Sequence, residues 1–500
     1  MTRGPSLIGR PRIGVLQLLV LAVVLACLVW TYALIALTIH PNHTVNRIMD
    51  TEAFDDGAFW LLIEPPKELV VLGVAGFALM FAGYISVILR FMWRDKSATS
   101  RHTSIQKVYV GRVVEPFKSA LRDISDTSKS GSLKKSAAVI VSKLSNKESS
   151  TRKFAMVWLK LGDIAVQVVL LVQILEMGLP IALVYTLTGI IFLNSIASAA
   201  LVYAPESLKQ SGVVEELIDT ISTFLIAIAF PMLVVAHSFS TFTFDRARYA
   251  LNLQVFPRGE FETLARAIAD PVQVTVVLKS LNSLRIRSAL DFFTRVGTHV
   301  ALIYRLHCLM GILRASRGHT FHSAYPHRHR VGVLFVVFPI LLTLFVYFSI
   351  STAKQACSYH PECAVYALRW TRIREDDRTQ CPCIALIDGN IAISTFAEWV
   401  APRNVTEKVS QLATTGHLEI VQLLNRQLIA FPDELRRCTN LQQLYVLANV
   451  WLELGLITFT VTDTSTNAGL CIMQKQRLCQ SGLPNLRASN TCTYPNLILV

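Results

Sequence analysis

The chain has 500 residues, of which 48 are basic and 34 are acidic, so its formal net charge is +14. Apolar residues make up 52% of it, charged residues only 16%, and the mean hydropathy is +0.45. Soluble domains carry about 25% charged residues, so this composition excludes an ordinary cytosolic enzyme and a disordered chain. It is typical of a multi-pass membrane protein. The net charge alone would also fit a nucleic-acid-binding protein. The positions of the basic residues along the chain distinguish that class from a membrane protein with basic loops.

Five segments are long and apolar enough to cross a bilayer, which takes about 20 residues. They are residues 13–39, 69–89, 181–203, 217–236 and 331–351. The first is longer than the apolar part of a cleaved signal peptide, roughly 7–15 residues, and predicts a retained anchor. A sixth segment, 161–177, is apolar but contains Asp163, Gln167 and Glu176. It is either an interfacial or packed helix or a helix lining a polar path, because charges in a bilayer need partners or water.

The charged loops predict which side of the membrane each segment faces, because lysine and arginine concentrate on the cytoplasmic side. Residues 90–160 carry 16 basic and 5 acidic side chains and residues 237–330 carry 13 and 5, so both loops are predicted to be cytoplasmic. Residues 40–68 carry two basic and six acidic side chains and are predicted to lie outside.

A cytoplasmic N-terminus and an outside C-terminus require an odd number of crossings, and five crossings fit every loop assignment. Counting 161–177 alone as a crossing would give six and a cytosolic C-terminal region. Adding 289–313 would give seven, although Asp291, Arg295, His299 and Arg305 argue against that segment.

Cysteine and glycosylation patterns support an outside C-terminal region. Eight of the ten cysteines follow the last apolar segment, a density that fits an oxidising compartment. Disulfides are expected there, with the pairing left open, and the first candidates are Cys357, Cys363, Cys381 and Cys383. Asn42 and Asn404 each begin an Asn-x-Thr pattern and are candidate N-glycosylation sites. The predicted location is a membrane, in particular the plasma membrane.

The first basic loop contains a Ser/Lys-rich stretch at residues 124–153. It is interpreted either as a solvated linker or as a contact with anionic membrane lipid, worth about 1 kcal/mol per cation near the surface. Aromatic residues that could stack on bases are not interleaved with the basic ones. Membrane lipid is therefore a predicted partner, and nucleic acid is not.

Residues 418–460 contain an apolar pattern that recurs after 23 residues, since Leu418, Val421 and Leu423 return as Leu441, Leu444 and Val446. Units of 20–29 residues with this spacing are typical of leucine-rich repeats. One amphipathic helix is the alternative. The complete predicted consensus is Leu418, Val421, Leu423, Leu428, Pro432, Leu435, Cys438, Leu441, Leu444, Val446 and Asn449. Residues 461–500 lack the period and indicate a truncated array, because about three units are needed to bury a continuous core.

The predicted fold is a polytopic α-helical membrane protein with a small C-terminal, cysteine-containing region of partial leucine-rich repeats, an α/β solenoid. Five spans are preferred, and six or seven helices are possible. In chain order the predicted parts are a cytoplasmic N-terminus (1–12), two transmembrane helices with an acidic outside loop (13–89), a basic cytoplasmic loop (90–160), transmembrane helices (161–236), a basic cytoplasmic helical loop (237–330), the last transmembrane helix (331–351), a cysteine-containing cap (352–417), the partial repeats (418–460) and an irregular, truncated tail (461–500).

Three stretches resemble uncharacterised multi-pass membrane proteins of oomycete type that carry a C-terminal leucine-rich repeat ectodomain. The stretches are residues 381–388 (CPCIALID), Glu398-Trp399 and residues 435–438 (LRRC), and residues 357–366 fit the same pattern. The resemblance implies a receptor-like or adhesion-like surface protein without catalytic residues.

Two functions follow as hypotheses. The first is recognition of a protein ligand, or adhesion, at the cell surface through the repeat region. The second is an ion channel or transporter subunit with a regulatory repeat domain, in which Asp163, Gln167 and Glu176 line a path. Enzymatic activity and a cofactor are not expected, since the sequence contains no His-x-x-x-His metal helix, serine elbow or phosphate-binding loop.

Overall fold

The computed structural model describes residues 10–57, 59–60, 62, 66–92, 160–203, 213–257, 263–314, 329–369, 381–389, 395 and 401–447. These residues are mostly helical, with small sheets in the C-terminal region. Five helices are long and apolar enough to cross a membrane, which suggests a membrane protein: Gln17–Ile39, Lys67–Phe91, Ile181–Tyr203, Val214–Thr241 and Gly332–Cys357. They coincide with the five apolar segments predicted from the sequence.

The helices are numbered here in chain order. They are α1 (Arg10–Ile39), α2 (Pro41–Ile48), α3 (Lys67–Met92), α4 (160–176), α5 (Ile181–Tyr203), α6 (Val213–Phe224 continued by Leu225–Ala229 and Phe230–Thr241), α7 (Arg246–Val255), α8 (Ala265–Ile268), α9 (Pro271–Asn282), α10 (Ala289–Arg314), α11 (His329–Cys357) and α12 (Thr406–Ala413). Residues Leu225–Ala229 of α6 form a π-helical turn, which ends two positions before Pro231.

Seven long helices of the described part, α1, α3, α4, α5, α6, α10 and α11, form one bundle and alternate in direction. We call the end at which α11 leads into the C-terminal sheet the sheet end, and the opposite one the far end. Helix α10 runs parallel to α3: Phe292 packs on Gly76, Ile303 packs on Gly83, and His307 lies 3.5 Å from Arg90. With 26 residues α10 is about 39 Å long, so it covers the same depth as the apolar helices.

Helix α4 corresponds to the ambiguous segment 161–177 and packs beside α5. Gly178 reverses the chain between them in a left-handed conformation (φ +68°). A Cβ atom on Gly178 would lie 2.6 Å from the carbonyl oxygen of Tyr366, so this turn also contacts the C-terminal sheet. The structure therefore agrees with a packed helix.

The described residues of 242–287 lie at the sheet end, beside the acidic segment after α1. Arg246 donates to the Asp50 carboxylate at 2.5 Å, and Lys279 of α9 pairs with Glu419 of the C-terminal region. These contacts put the described part of 242–287 at the same end of the bundle as Asp50, whereas the charge count predicts opposite sides for 237–330 and 40–68. The side of the membrane that each segment faces stays a prediction. The charge count treats 237–330 as one loop, whereas α10 divides this stretch and acidic partners neutralise several of its basic residues at the sheet end.

Aromatic packing joins the same two segments. Phe54 contacts Phe244 with ring centroids 4.7 Å apart, and Trp60 contacts Phe242 at 5.1 Å. Phe59 and Trp60 are fully buried, so this contact is part of the core and not a crossing of two surface loops.

The C-terminal region contains the strands β1 (Cys363–Tyr366), β2 (Cys383–Asp388), β3 (Arg403–Asn404), β4 (Ile420–Leu424), β5 (Arg426–Gln427) and β6 (Gln443–Leu447). Four of them form a sheet in the order β1-β2-β4-β6, and β3 pairs with β5. The β1–β2 pair is antiparallel, whereas β2, β4 and β6 are parallel. Parallel strands are usually buried on both faces, and every residue of β2 is buried.

Candidate functional site

Two disulfides fix the start of the C-terminal region, here called the module (residues 357–447). Cys357 at the end of α11 pairs with Cys381, and Cys363 of β1 pairs with Cys383 of β2. The four predicted disulfide cysteines are thereby confirmed. Sequence alone left their pairing open. The two bonds anchor the central strand β2 to the last helix of the bundle.

Most predicted repeat residues lie in the core of the module. Leu418, Val421, Leu423, Leu428, Leu435, Cys438 and Leu444 are buried in one cluster with the disulfides, and Leu441 packs against its edge. Pro432 precedes a 3₁₀ turn at Asp433–Arg437. The sulfur of Cys438 lies 3.6 Å from the carbonyl oxygen of Ala413, and Cys438 is a free thiol. Asn449 lies outside the described residues.

The 23-residue offset is the register of the parallel pair β4–β6. Val421 pairs with Leu444, and Leu423 pairs with Val446. The neighbouring pair β2–β4 has a different offset, since Ala385 pairs with Ile420. Two strands at one offset do not form a solenoid, so the leucine-rich repeat stays a prediction, as does the tail 461–500, which lies outside the described residues.

A cluster of charged side chains lies at the C-terminal end of β2. Lys408 of α12 donates to Asp388 (3.0 Å) and Glu362 (2.5 Å), and Arg426 donates to Asp388 at 2.8 Å. Burial raises the pKa of Asp388, but the hydrogen bonds from Lys408 and Arg426 outweigh it and hold that pKa below its usual value. Asn425, one position before Arg426, has the left-handed φ of +52° that a sharp turn after β4 requires.

The module is docked on the bundle through the other face of the sheet. Ile384 and Ile420 belong to the same buried apolar cluster as Leu278 and Leu281 of α9. At the edge of this contact the Glu419 carboxylate accepts from Lys279 and lies 3.6 Å from Arg287. Burial lowers the pKa of Lys279, although the Glu419 carboxylate acts in the opposite direction. The module and α9 therefore share one core.

The two candidate glycosylation sites differ in their surroundings. Asn42 lies at the start of α2, and its side chain accepts from the backbone N–H of Leu62 (2.6 Å) and donates to the Leu62 carbonyl (3.3 Å). Asn404 is exposed, and its Oδ1 accepts from the backbone and hydroxyl of Thr406. A glycan on Nδ2 would replace one of its two hydrogens and would need room beside Leu62, which already contacts both polar atoms of the Asn42 side chain. Asn404 offers an open surface.

A second cluster of charges lies inside the bundle, nearer its far end. Arg305 of α10 donates to Asp163 (3.0 Å) and lies 2.8 Å from Asp219 of α6. Lys160 contacts the other oxygen of Asp219 at 2.5 Å and donates to Asn194 of α5 at 3.0 Å. We call these five residues the inner charge cluster.

The inner charge cluster is buried, and its two cations face two carboxylates. Asn194 extends it by donating to Gln167 at 3.0 Å. Glu176, in contrast, is exposed at the other end of α4. The hypothesis that Asp163, Gln167 and Glu176 line one path does not match this arrangement. Asp163 and Gln167 belong to the paired network, and Glu176 lies apart from it.

Sequence reasoning missed the role of Arg305, which it counted as an argument against a membrane-depth helix. The partner Asp163 is 142 positions away, so no local pattern could reveal the pair. One feature of the sequence could have indicated the pair: α4 carries an acidic residue, Asp163, and α10 carries a basic residue, Arg305, each within a helix that is mostly apolar.

Comparison of the chain with protein-family models, with curated proteins and with solved structures gives no match. The resemblance to oomycete membrane proteins stays a prediction, and function has to be argued from the geometry.

Proposed function

We propose that this is a multi-pass protein of the cell surface that recognises or adheres to a protein partner through its C-terminal module. The observation that carries the proposal is the docking of a disulfide-bonded module on the sheet end of the bundle. Disulfides are typical of proteins exposed to an oxidising exterior. A docked module presents its surface in a fixed orientation to neighbouring cells.

Seven crossings fit this arrangement better than five. The polar helices α4 and α10 lie at the same depth as the apolar ones, and their charges pair with each other and with Asp219. The described helices that flank the basic residues 93–159 are α3, which ends at the far end, and α4, which begins there. The positive-inside rule then assigns the far end to the cytosol. An odd number of crossings leaves the module outside.

The first experiment tests on which side of the membrane the sheet end of the bundle lies. An epitope inserted after Arg248, which is exposed in α7, is expected to be labelled on intact cells under seven crossings. Five crossings with a cytoplasmic 237–330 loop predict labelling only after permeabilisation. An epitope in residues 93–159 is the matched control and is expected to need permeabilisation.

The partner surface has to lie away from both sheet faces. One face packs on α9 and the other contacts the core of the module. The segment after β5 is exposed instead, with Ile429 58% exposed and Arg436 also on the surface. An exposed large apolar side chain beside charged ones is a common centre of a protein contact.

A cell-binding assay tests the recognition function. Cells that express the full chain are expected to bind one another or untransfected cells, and the double variant Ile429→Glu, Arg436→Glu is expected to lose most of that binding. The control is Arg248→Glu, which reverses a charge at the sheet end outside the module. Equal binding by the double variant and the wild type, or no binding at all, would argue against recognition through this segment.

A channel or transporter subunit is the second candidate, and the inner charge cluster favours it. Paired charges at membrane depth are costly and often belong to ion or proton pathways. Proteoliposomes with the full chain are expected to show ion flux that Asp163→Asn reduces several-fold, with Asp50→Asn as the exposed control. Flux no greater than in protein-free liposomes would rule this candidate out.

A further inference from the structure

A cavity of about 30 Å³ lies in the bundle beside the π-helical turn of α6. Most of its wall is apolar and comes from α1, α4 and α6, including Leu34, Ile174 and Ala227. The polar part of the wall is Ser283, Thr294, Arg295, Thr298 and His299. Single π-helical turns within α-helices occur frequently at functional sites.

Arg295 is the unusual member of this wall. Its guanidinium donates to the carbonyl oxygen of Ser283, but its Nε is buried without a hydrogen-bond partner among the described residues. No carboxylate of the described part lies within ion-pair distance of it. Asp291, one turn earlier, attracts the Arg295 charge only from beyond ion-pair distance, and its carboxylate accepts from the backbone N–H groups of Arg287 and Ser288. A buried charge without a counter-charge in direct contact is unfavourable, so a closer partner is expected.

The rest of the wall limits what that partner is. Thr294 and Thr298 donate to backbone carbonyls of their own helix, so their hydrogens are already used. His299 is buried, and its Nδ1 lies 2.9 Å from the hydroxyl of Tyr84. When Tyr84 donates in this contact, the other ring nitrogen of His299 carries a proton. The donors that remain for a guest come from Arg295 and His299.

We propose that this cavity binds a small monatomic anion, chloride or another halide, between Arg295 and His299. A water molecule needs about 10–15 Å³, so the cavity has room for one chloride and not for a carboxylate- or phosphate-bearing metabolite. The anion supplies a counter-charge in direct contact with Arg295, which Asp291 does not make, and it satisfies Nε. This site goes beyond both functions proposed above and depends on neither.

The test uses purified full-length protein in detergent, with chloride exchanged for gluconate at constant ionic strength. Gluconate is too large for the cavity. For the wild type we expect chloride to raise the Tm by about 3 °C and radiolabelled chloride to bind at about one ion per chain. Arg295→Gln is expected to lose both effects, and the exposed control Arg246→Gln is expected to keep them.

A second variant separates binding from folding. Ala227→Val leaves Arg295 unchanged but fills the cavity, so it is expected to fold and to lose chloride binding even if Arg295→Gln fails to fold. Equal Tm values of the wild type in chloride and gluconate, together with no bound chloride, would mean a cavity that holds water only and would overturn the proposal. Retention of chloride binding by Ala227→Val would overturn the location.

Discussion

Arg305 is the residue on which the inner charge cluster depends, because among the described residues it is the cation that contacts both Asp163 and Asp219. Its side chain is 9% exposed. Removing one partner of a buried pair leaves an uncompensated charge and costs about 3–5 kcal/mol, whereas an exposed pair contributes about 0–1 kcal/mol.

We therefore expect Arg305→Leu to lower the free energy of unfolding by about 3–5 kcal/mol. Arg246→Leu, which removes the exposed pair with Asp50, is expected to change it by less than about 1 kcal/mol. Reversible unfolding in mixed micelles measures both. Equal effects of the two substitutions would contradict a buried network.

Asn404 and Asn42 give a second prediction at the scale of single residues. In a microsomal translation assay we expect glycan at Asn404 and none at Asn42, because the Asn42 side chain is held by Leu62. Asn404→Gln is expected to abolish the mobility shift, and Asn42→Gln is expected to leave it. A shift that disappears only with Asn42→Gln would reverse this assignment.

For single residues, the sequence predicted those properties that depend on neighbours in the chain. The disulfide cysteines and the apolar positions of the 23-residue pattern could be named, because burial of cysteine and leucine follows from composition and spacing. The disulfide pairing and the partners of Arg305 could not be named. Both depend on segments brought together only by the fold.

Among the elements, hydropathy found the five apolar helices but not the roles of α4 and α10. Each of those two helices carries charges that disqualify it as an isolated span. The charges match across the bundle, so neither helix can be judged without the other. Patterns within one segment cannot report this kind of complementarity.

The turn between α4 and α5 is sensitive to the addition of a single methyl group. Gly178→Ala forces an L-residue into a left-handed conformation, which costs about 1–2 kcal/mol, and its Cβ would collide with the Tyr366 carbonyl. We expect a Tm loss of several degrees. Gly162→Ala in α4 is the control, since nothing lies within 4 Å of its Cβ, and it should be neutral or stabilising. An equal loss for both variants would contradict the described turn.

For the whole molecule, the central feature is the contact between α9 and the module. Glu419→Lys would oppose the charges of Lys279 and Arg287, and we expect it to release the module from α9. Hydrogen exchange of residues 271–282, followed by mass spectrometry, is expected to increase at least tenfold. Combining it with Lys279→Glu restores opposite charges and is expected to recover most of the protection. Unchanged exchange in the single variant would show that apolar packing alone holds the module.

The end of the bundle at which the described part of 242–287 lies could not be predicted from the charge of residues 237–330. Summed over that stretch the excess of basic residues is large, yet part of it lies in α10 and part is paired at the sheet end. Net charge reports the environment of a loop only when the loop is continuous and its charges are unpaired.

The pairing of α4 with α10 also has a consequence for biosynthesis. In the seven-crossing arrangement proposed above, the ribosome completes Lys160 and Asp163 long before it reaches Arg305, so α4 would reach the translocon before its principal counter-charge exists. It would then stay at the translocon or at the membrane interface until α10 follows. A nascent chain that stops before Arg305 would therefore hold α4 less firmly than one that includes it. Extraction of stalled nascent chains with alkaline carbonate would reveal this as a step in membrane retention.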